Sequence, residues 1–473
     1  MTFLGLGRAT GPALIDGATG TVRSHRELAE EARAWTAPLG VSKALVFVLC
    51  RNDVTTCLAY AGAMLGGHAV ALLDGQASDE ASIDLARVYE ATWVAGPAGL
   101  AKRLDACGVP VRSVVGRDGG ELVRTAYAEH RLNPELALLL ATSGTTGSRK
   151  FVRLSSANVE ANARSIGAYL GLAGDERPIT SLPLHYSFGL SVLNSHWLAG
   201  AAVVLTGESV IQQPFWDVFA AQACTSLSGV PFTFQMLERI GFRDMALPSL
   251  RTVLQAGGAL DRNLTERYSE FMAERGGRFY VMYGQTEATA RIAYLPPERL
   301  PEKLGSAGIA IPGGRLRIDA EDTTTGSSRI TGEVVFEGPN VMLGYAMGPG
   351  DLSRGDELGG VLRTGDIGYL DDDGFLFLVG RSKRIAKVFG LRINLDELEQ
   401  MVRESGPAAV VSGPDVIWAF CAFGSAGDVE RLGRSIATRL RLHHAAFRFE
   451  HVEAIPTTTS GKTDYAEVQR WLP

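Results

Sequence analysis

The chain has 473 residues, more than one ordinary hydrophobic core holds, so several subdomains are expected. Hydrophobic residues make up 46% and charged residues 21%, a balance typical of globular proteins that leaves no room for a large disordered region. The formal net charge of -6 argues against a nucleic-acid-binding protein, which would need a basic face.

Cysteine usage and apolar runs bear on the compartment. The five cysteines are scattered without C-x-x-C spacing and predict reduced residues in a cytoplasmic protein. The eight histidines form no H-E-x-x-H array or similar metal-ligand pattern. The N-terminus has no basic leader before an apolar run, and no run reaches membrane-spanning length, so neither secretion nor a membrane span is expected.

The first part of the chain alternates predicted strands and helices. Residues 12–20 predict a strand and a turn, and Ser24 is a candidate cap for a helix over 26–35, with Glu27 completing a capping box. Strand followed by helix and strand predicts parallel sheets that are buried on both faces. The apolar runs of strand length are 45–50, 69–73, 92–95, 202–205, 252–256 and 279–282.

Residues 138–153, LLLATSGTTGSRKFVR, combine a short buried strand with a loop that cannot pack a core. Residues 142–147 are all Ser, Thr or Gly, and Arg149 and Lys150 add positive charge. Glycines let the backbone bend toward a phosphate, while hydroxyls and N–H groups donate to its oxygens. The spacing does not fit the Walker pattern, so we predict a phosphate-binding loop outside the P-loop NTPases. A flexible surface turn is the alternative.

From Gly313 onward, short β-like pieces are separated by Gly, Asp and Thr clusters, which predicts an antiparallel or barrel-like layer. Residues 371–374, DDDG, predict a turn between two of its strands. A basic stretch and a predicted helix at 396–404 follow. We place the boundary of a small C-terminal domain at about Ser382.

Six motifs follow one another in a fixed order. They are TSGTTGSRK at 142–150, YGQTE at 283–287, the G-E to G-Y segment at 332–345, TGD at 364–366, the G-R-x-K and K-x-x-G-x-R-I run at 380–399, and PTTTSGK at 456–462. Together they resemble the motifs of the adenylate-forming superfamily, which includes acyl-CoA synthetases, carrier-protein-loading adenylation domains and luciferases. The resemblance covers nearly the whole chain.

The resemblance implies an α/β fold with two domains. The large N-terminal domain, 1–381, would hold two parallel-rich sheets with covering helices and a small β-barrel-like subdomain. The small mobile α+β C-terminal domain, 382–473, would carry the catalytic lysine.

It also implies a reaction: ATP-dependent activation of a carboxylic acid to an acyl-adenylate, with release of pyrophosphate. The acyl group would then pass to the thiol of coenzyme A or of a carrier-protein pantetheine. ATP and Mg²⁺ are the implied cofactors. The implied partners are a small-molecule carboxylic acid and, as a second potential acceptor, an acyl carrier protein.

The nucleotide site is expected to use cations and directed donors, because the reaction brings a carboxylate to an already anionic phosphate. By resemblance Glu287 coordinates Mg²⁺, Thr286 contacts the α-phosphate and Tyr283 stacks on adenine beside Gly284. Asp366 would accept the ribose hydroxyls and Arg381 would donate to the ribose or phosphate. The β- and γ-phosphates are assigned to Thr142, Ser143, Thr145, Thr146 and Lys150, and Gly144 and Gly147 of the same loop are candidate nucleotide-binding residues. Gly257 and Gly258 would let the backbone pass close to the adenine and the acyl group.

Several of these residues have a plain alternative. Glu287 taken alone is a solvated loop carboxylate, and Asp366 a turn former. Gly257 and Gly258 are equally consistent with a turn after a strand.

Lysines of the C-terminal segment carry the implied motions. Lys462 resembles the lysine that bridges the substrate carboxylate and the α-phosphate, a role that suits a flexible point charge. Lys383 falls at the family's hinge. Rotation there would present a thiol-transfer face that bears Lys387 and Gly390. The alternatives are a solvated loop lysine at 462 and a charged helix-entry turn at 383.

Residues 182–191, LPLHYSFGLS, resemble the region that lines the family's acyl pocket. The candidate pocket residues are His185, Tyr186, Gly189 and Ala259. Tyr186 stands where many relatives have His. Amino-acid-activating relatives carry F-D-x-S where this chain has Gly189 after Phe188, so a buried ammonium would lack a counter-charge and an amino acid substrate is disfavoured.

Three other functions are considered. The first is an amide-type ligase, in which the acyl-adenylate passes its acyl group to an amine or another nitrogen nucleophile. A non-catalytic nucleotide-binding regulator on the same fold is the second. A serine hydrolase using Ser143 is disfavoured because the chain has no G-x-S-x-G elbow.

Overall fold

A computed structural model describes residues 3–75, 79–117, 119–141, 150–319, 330–381, 385–388, 391–414, 416–440, 442–456, 463 and 465–472. The described chain divides into two compact units, the first built from 3–141 and 150–379 and the second beginning at Gly380. Several predicted site residues lie outside the described residues: Thr142, Ser143, Gly144, Thr145, Thr146, Gly147, Lys383, Gly390 and Lys462.

The opening of the first unit forms as predicted. Strands β1 (Pro12–Asp16) and β2 (Val22–Ser24) lead into helix α1 (His25–Thr36). Ser24 caps this helix: its Oγ accepts from the Glu27 N–H at 3.2 Å, and the Glu27 carboxylate accepts from the Ser24 N–H at 2.8 Å. The predicted capping box is confirmed, and it satisfies two backbone donors that would otherwise have no helical partner.

The first unit continues with alternating helices and strands. The elements up to residue 205 are β3 (Leu45–Cys50), α2 (Val54–Leu65), β4 (Ala69–Asp74), α3 (Asp79–Val88), β5 (Trp93–Pro97), α4 (Leu100–Ala106), β6 (Val111–Arg117), β7 (Gly120–Thr125), β8 (Leu136–Ala141), β9 (Phe151–Ser155), α5 (Ser156–Leu170), α6 (Ser187–Leu198) and β10 (Val203–Leu205). Those that follow are α7 (Gln213–Ala221), β11 (Ser226–Gly229), α8 (Pro231–Arg239), β12 (Thr252–Gln255), α9 (Arg262–Glu274), β13 (Arg278–Tyr283), β14 (Ala293–Leu295), β15 (Ile309–Ala310), β16 (Arg315–Asp319), β17 (Gly332–Glu337), β18 (Gly344–Ala346), β19 (Val361–Leu370) and β20 (Leu376–Arg381).

Both large sheets contain a block of parallel strands, which agrees with the predicted α/β class. The eight-stranded sheet has the order β18-β9-β8-β4-β3-β5-β7-β6, and β8, β4, β3 and β5 run parallel. The five-stranded sheet has the order β11-β12-β13-β14-β15, and its first three strands run parallel. Alternate residues of the fully buried strand β3 belong to two hydrophobic clusters, one for each face. Helices therefore cover both faces, as a parallel sheet requires.

The predicted β-rich layer is a four-stranded sheet with the order β16-β17-β19-β20. Its turn at 371–374 is confirmed: the Asp371 carboxylate accepts from the Asp373 and Phe375 N–H groups at 3.0 and 2.9 Å. Gly374 has φ of +80°, a conformation that favours glycine.

The second unit has its own hydrophobic core. Its elements are β21 (Ile385–Val388), β22 (Leu391–Asn394), α10 (Leu395–Arg403), β23 (Ala408–Ser412), β24 (Ile417–Cys421), α11 (Ala426–Arg439), β25 (Phe447–His451) and α12 (Tyr465–Arg470). Helix α10 lies one residue from the predicted bounds. The five cysteines are unpaired, as predicted. Within the described ranges, no helix is both long and apolar enough to cross a membrane.

Candidate active site

The candidate site begins where the strands of the five-stranded sheet end. Because β11, β12 and β13 are parallel, their carboxyl ends share one edge, and the loops after them meet there. The loop after β12 contains Gly257, whose φ is +83°. A Cβ atom there would lie 2.8 Å from the Tyr186 hydroxyl and 2.9 Å from a Val230 methyl group. Only glycine fits, so this loop passes directly against the candidate acyl pocket.

The YGQTE motif follows β13 and is wound tightly. A Cβ atom on Gly284 would lie 2.0 Å from the Ala290 carbonyl oxygen, and the Ile292 N–H donates to the Tyr283 carbonyl at 2.8 Å. Residues Thr286–Ala288 form a short 3-10 helix. The loop thus holds Thr286 and Glu287 in nearly buried positions, with 7% and 9% of their surface exposed.

Tyr283 and Asp366 come together although 83 residues separate them. The Tyr283 hydroxyl donates to the Asp366 carboxylate, and both side chains are buried. The Asp366 N–H donates to the Thr364 hydroxyl at 3.1 Å, while the Thr364 carbonyl accepts from the Gln285 amide at 3.2 Å. The YGQTE and TGD motifs therefore form one continuous hydrogen-bonded wall.

Glu287 and Lys150 both contact Tyr345. The Tyr345 hydroxyl donates to the Glu287 carboxylate at 2.9 Å, and the Lys150 ammonium lies 3.3 Å from the centre of the Tyr345 ring. An ammonium over an aromatic face is electrostatically favourable. Thr286 completes this edge with its hydroxyl 3.2 Å from that of Ser187. One tyrosine thus contacts both a carboxylate and an ammonium.

The sequence prediction gave Tyr345 no role. The signal was present, since Tyr345 is the tyrosine of the G-Y pair that ends the motif at 332–345. A tyrosine in a short strand gives no indication of the carboxylate that its hydroxyl will meet. The pairing of β18 with β9, which sets Tyr345 opposite Val152, decides that contact.

Arg153 holds the backbone of Tyr345 in place. This arginine is fully buried, and its Nη2 donates to the Glu357 carboxylate at 2.6 Å. Its Nε donates to the Tyr345 carbonyl at 3.1 Å, and its Nη1 to the Arg354 carbonyl at 2.5 Å. The guanidinium therefore clamps β9 to the segment 343–357.

The candidate acyl pocket residues are only partly gathered. A Cβ atom on Gly189 would lie 2.3 Å from the Pro183 carbonyl oxygen, so the chain folds closely onto the start of α6 and places Tyr186 beside Gly257. Burial lowers the pKa of His185, which favours its neutral imidazole. Ala259 is exposed. Of Arg381 and Lys387, the structure describes the strand positions alone, and Lys387 pairs with Arg392.

Residues 8–346 match the family model described as AMP-binding enzyme. The chain belongs to this family. The resemblance read from the motifs is thereby confirmed.

Curated relatives of this AMP-binding enzyme are named as coenzyme A ligases. A feruloyl-CoA synthase from an Amycolatopsis species is 29% identical over 347 residues, which cover 71% of this chain and 70% of that protein. A 2-succinylbenzoate–CoA ligase from Bacillus licheniformis is 31% identical over 340 residues, which cover 69% of this chain and 68% of that protein.

Solved structures share the fold across almost the whole chain. An amide bond synthetase from Marinactinospora thermotolerans has a TM-score of 0.78 and 25% identity, covering 99% of this chain and 98% of that one. An o-succinylbenzoate CoA synthetase from Bacillus subtilis has a TM-score of 0.75 and 23% identity, covering 98% and 96%. The predicted fold class is confirmed.

Proposed function

We propose that this AMP-binding enzyme activates a carboxylic acid with ATP to give an acyl-adenylate and pyrophosphate, and then transfers the acyl group to coenzyme A. The observation that carries the proposal is the arrangement of Glu287, Tyr345 and Lys150 at the carboxyl end of β13. A carboxylate and an ammonium that contact the same tyrosine suit a metal-bound triphosphate, which has both anionic oxygens and a cation.

The chemistry balances in two displacements. A carboxylate oxygen of the acid attacks the α-phosphorus, and the bond to the β-phosphate oxygen breaks so that pyrophosphate leaves. The thiolate of coenzyme A then attacks the acyl carbon, and AMP leaves with the electron pair of the carbon–oxygen bond. Both steps build negative charge that positioned cations and donors stabilise.

The residues fit a magnesium ion at Glu287. Carboxylate oxygens are ligands that Mg²⁺ prefers, and Tyr345 occupies one of the two oxygens of this carboxylate. Mg²⁺ bound there would shield the charge of the triphosphate. Lys150 would neutralise phosphate oxygens, and Thr286 would donate its hydroxyl to the α-phosphate.

The nucleoside would lie against the hydrogen-bonded wall of Tyr283 and Asp366. The Tyr283 ring offers a face to adenine, and the Asp366 carboxylate offers acceptors to the ribose hydroxyls. Tyr283 orients that carboxylate through their hydrogen bond. Gly257 and Gly258 would let the backbone approach the adenine and the acyl group.

The C-terminal lysines complete the proposal. Lys462 would bridge the acid carboxylate and the α-phosphate, and Arg381 would donate to the ribose or phosphate. A pivot of the domain 382–473 at Lys383 would then bring Lys387 and Gly390 to the thiol channel. The protein is proposed to act in the cytoplasm.

The acceptor has a specific rival. Similarity to the curated coenzyme A ligases favours a thiol. Similarity to an amide bond synthetase favours an amine as the second candidate acceptor. A carrier-protein pantetheine stays a prediction from the motifs.

Acid-dependent exchange of label between pyrophosphate and ATP tests the first half-reaction without knowledge of the acceptor. We expect one class of acid to support exchange and Lys462→Ala to abolish it. Lys102→Ala, which changes an exposed lysine of α4, is the control and should exchange normally. Exchange that survives Lys462→Ala would refute the role of this lysine. Silence with every acid would refute adenylation of the classes tested.

A further inference from the structure

Arg291 places a positive charge beside an apolar cluster. It lies four residues beyond Glu287, in the connection between β13 and β14, and only 2% of it is exposed. The cluster includes Phe188, Met282 and, at its margin, Tyr186. Since Tyr186 lies against Gly257, this cluster backs the candidate acyl pocket.

The guanidinium of Arg291 has weak partners. Its carbon lies 4.1 Å from the centre of the Phe188 ring, its Nε lies 3.4 Å from the Met282 sulfur, and the Tyr169 hydroxyl forms a hydrogen bond with it. A thioether and an aromatic face accept hydrogen bonds poorly. Among the residues that the structure describes, no carboxylate pairs with Arg291.

A buried guanidinium without an anion is costly. It presents five donors, stays protonated in proteins and destabilises the fold when nothing neutralises it. Burial also lowers the pKa of Arg291, because the charged guanidinium loses its contact with water. A methionine of similar length would pack in this cluster without that cost, so packing alone does not account for an arginine.

We propose that Arg291 binds a second carboxylate at the far end of the acid, so that the substrates are dicarboxylic acids. This inference rests on the proposed function and names its substrate class. One carboxylate would be adenylated, and the other would pair with the planar guanidinium, which matches a carboxylate in bidentate geometry. The same charge would repel an acid that carries a free ammonium group.

The test compares each diacid with a monocarboxylic acid of similar shape whose far end is uncharged. The pairs are terephthalate with para-nitrobenzoate, para-carboxycinnamate with para-nitrocinnamate, and adipate with hexanoate. In pyrophosphate exchange we expect kcat/KM for the preferred diacid to exceed that for its partner by about 30-fold or more, the range for a buried charge pair. Arg291→Met should reverse this preference, and Arg291→Lys should retain part of it.

Arg278→Met is the matched control. Arg278 also lies beside an aromatic ring, that of Tyr280 at 5.9 Å, but its Nη1 donates to the Leu170 carbonyl at 2.9 Å. This variant should keep the wild-type preference. A wild-type enzyme that prefers the monocarboxylic acids, or an Arg291→Met enzyme with an unchanged preference, would overturn the inference and leave the proposed function standing.

Thermal unfolding gives a second readout. Arg291→Met should unfold at an equal or higher temperature than wild type, because an unpaired buried charge is removed. The preferred diacid should raise the midpoint of wild type but not that of Arg291→Met. A lowered midpoint together with an equal loss for both acids of a pair would show a merely structural role.

The two proposals fail in different ways. Exchange that is silent with every acid, while a diacid stabilises wild type and not Arg291→Met, would refute adenylation and support the binding site. Silence in exchange with no stabilisation by any of the diacids would overturn the binding site as well.

Discussion

Arg153 and Arg291 are both buried in the first unit, yet their surroundings are opposite. Arg153 has a carboxylate and several backbone carbonyls around its guanidinium. Arg291 has a ring, a sulfur and a phenol. A guanidinium whose donors are taken up by the protein fixes a structure, whereas one that meets only weak acceptors is suited to an anion from outside.

The two regions also have different proposed roles. The clamp at Arg153 fixes the backbone of Tyr345, whose hydroxyl meets Glu287. Arg291 lies against the Phe188 ring of the apolar cluster that has Tyr186 at its margin. The first region would act on the nucleotide and the second on the acid, and variants can separate the two.

The largest effect is expected at the clamp. Arg153→Met should lower the free energy of unfolding by about 3–4 kcal/mol, because it removes a fully buried guanidinium that pairs with the exposed Glu357 and leaves backbone carbonyls without donors. Denaturant unfolding measures this. Arg354→Met, which removes an exposed arginine near the same Glu357, should cost less than about 1 kcal/mol. A loss at Arg153 as small as that of the control would contradict the comparison.

His196 is a third buried basic residue, and unlike the two arginines it can be buried in its neutral form. Burial lowers its pKa to about 4. The unfolded chain therefore binds more protons between about pH 6.5 and 4, and stability should fall by about 3 kcal/mol as the pH drops through this window. His196→Gln should remove most of this part of the pH dependence, while His451→Gln, at an exposed position, should not. A slope that His196→Gln leaves unchanged would argue against the burial of a neutral imidazole.

Glu287→Gln tests the nucleotide side alone. The amide can still accept a hydrogen bond from Tyr345, so the fold should be kept, but it is a poor ligand for Mg²⁺. We expect pyrophosphate exchange to fall about 100-fold. Glu298→Gln changes an exposed carboxylate in the same stretch and should change exchange less than about 2-fold. Equal activity of the two variants would remove Glu287 from the proposed site.

Tyr345→Phe should have the smallest effect. It keeps the ring under Lys150 and removes the hydrogen bond to Glu287. Loss of one such bond to a charged group predicts about a 10-fold fall in kcat/KM for ATP, with the preference among acids unchanged. Tyr369→Phe is the control: it changes a tyrosine of β19 whose ring stacks on that of Phe377, and it should leave kcat/KM for ATP unchanged. A change in acid preference would mean that the two regions are not separate.

Local chemistry made much of the fold predictable. The capping box at Ser24 and the turn at Asp371 each depend on residues within four positions of one another. The continuous apolar run of β3 predicted a sheet that is covered on both faces. The order of the strands was out of reach, because the pairing of β18 with β9 joins segments nearly 200 residues apart.

The sequence could name candidate site residues where a motif contains them. YGQTE and TGD pointed to Tyr283 and Asp366, and the structure places those two side chains in contact. The sequence did not point to Arg291, because no motif includes it. Its contact with Phe188, about 100 residues earlier, is formed only in the folded chain. Burial without a counter-ion is a property of the folded chain.

The most direct test of the central claim follows oxygen from the acid. A diacid whose carboxylates are labelled with the heavy isotope oxygen-18 is incubated with ATP, Mg²⁺ and coenzyme A. The masses of the nucleotide and phosphate products are then measured by mass spectrometry. Attack of the carboxylate on the α-phosphorus predicts AMP that carries one heavy oxygen, together with unlabelled pyrophosphate. Heavy oxygen in inorganic phosphate, with ADP as the nucleotide product, would contradict the account.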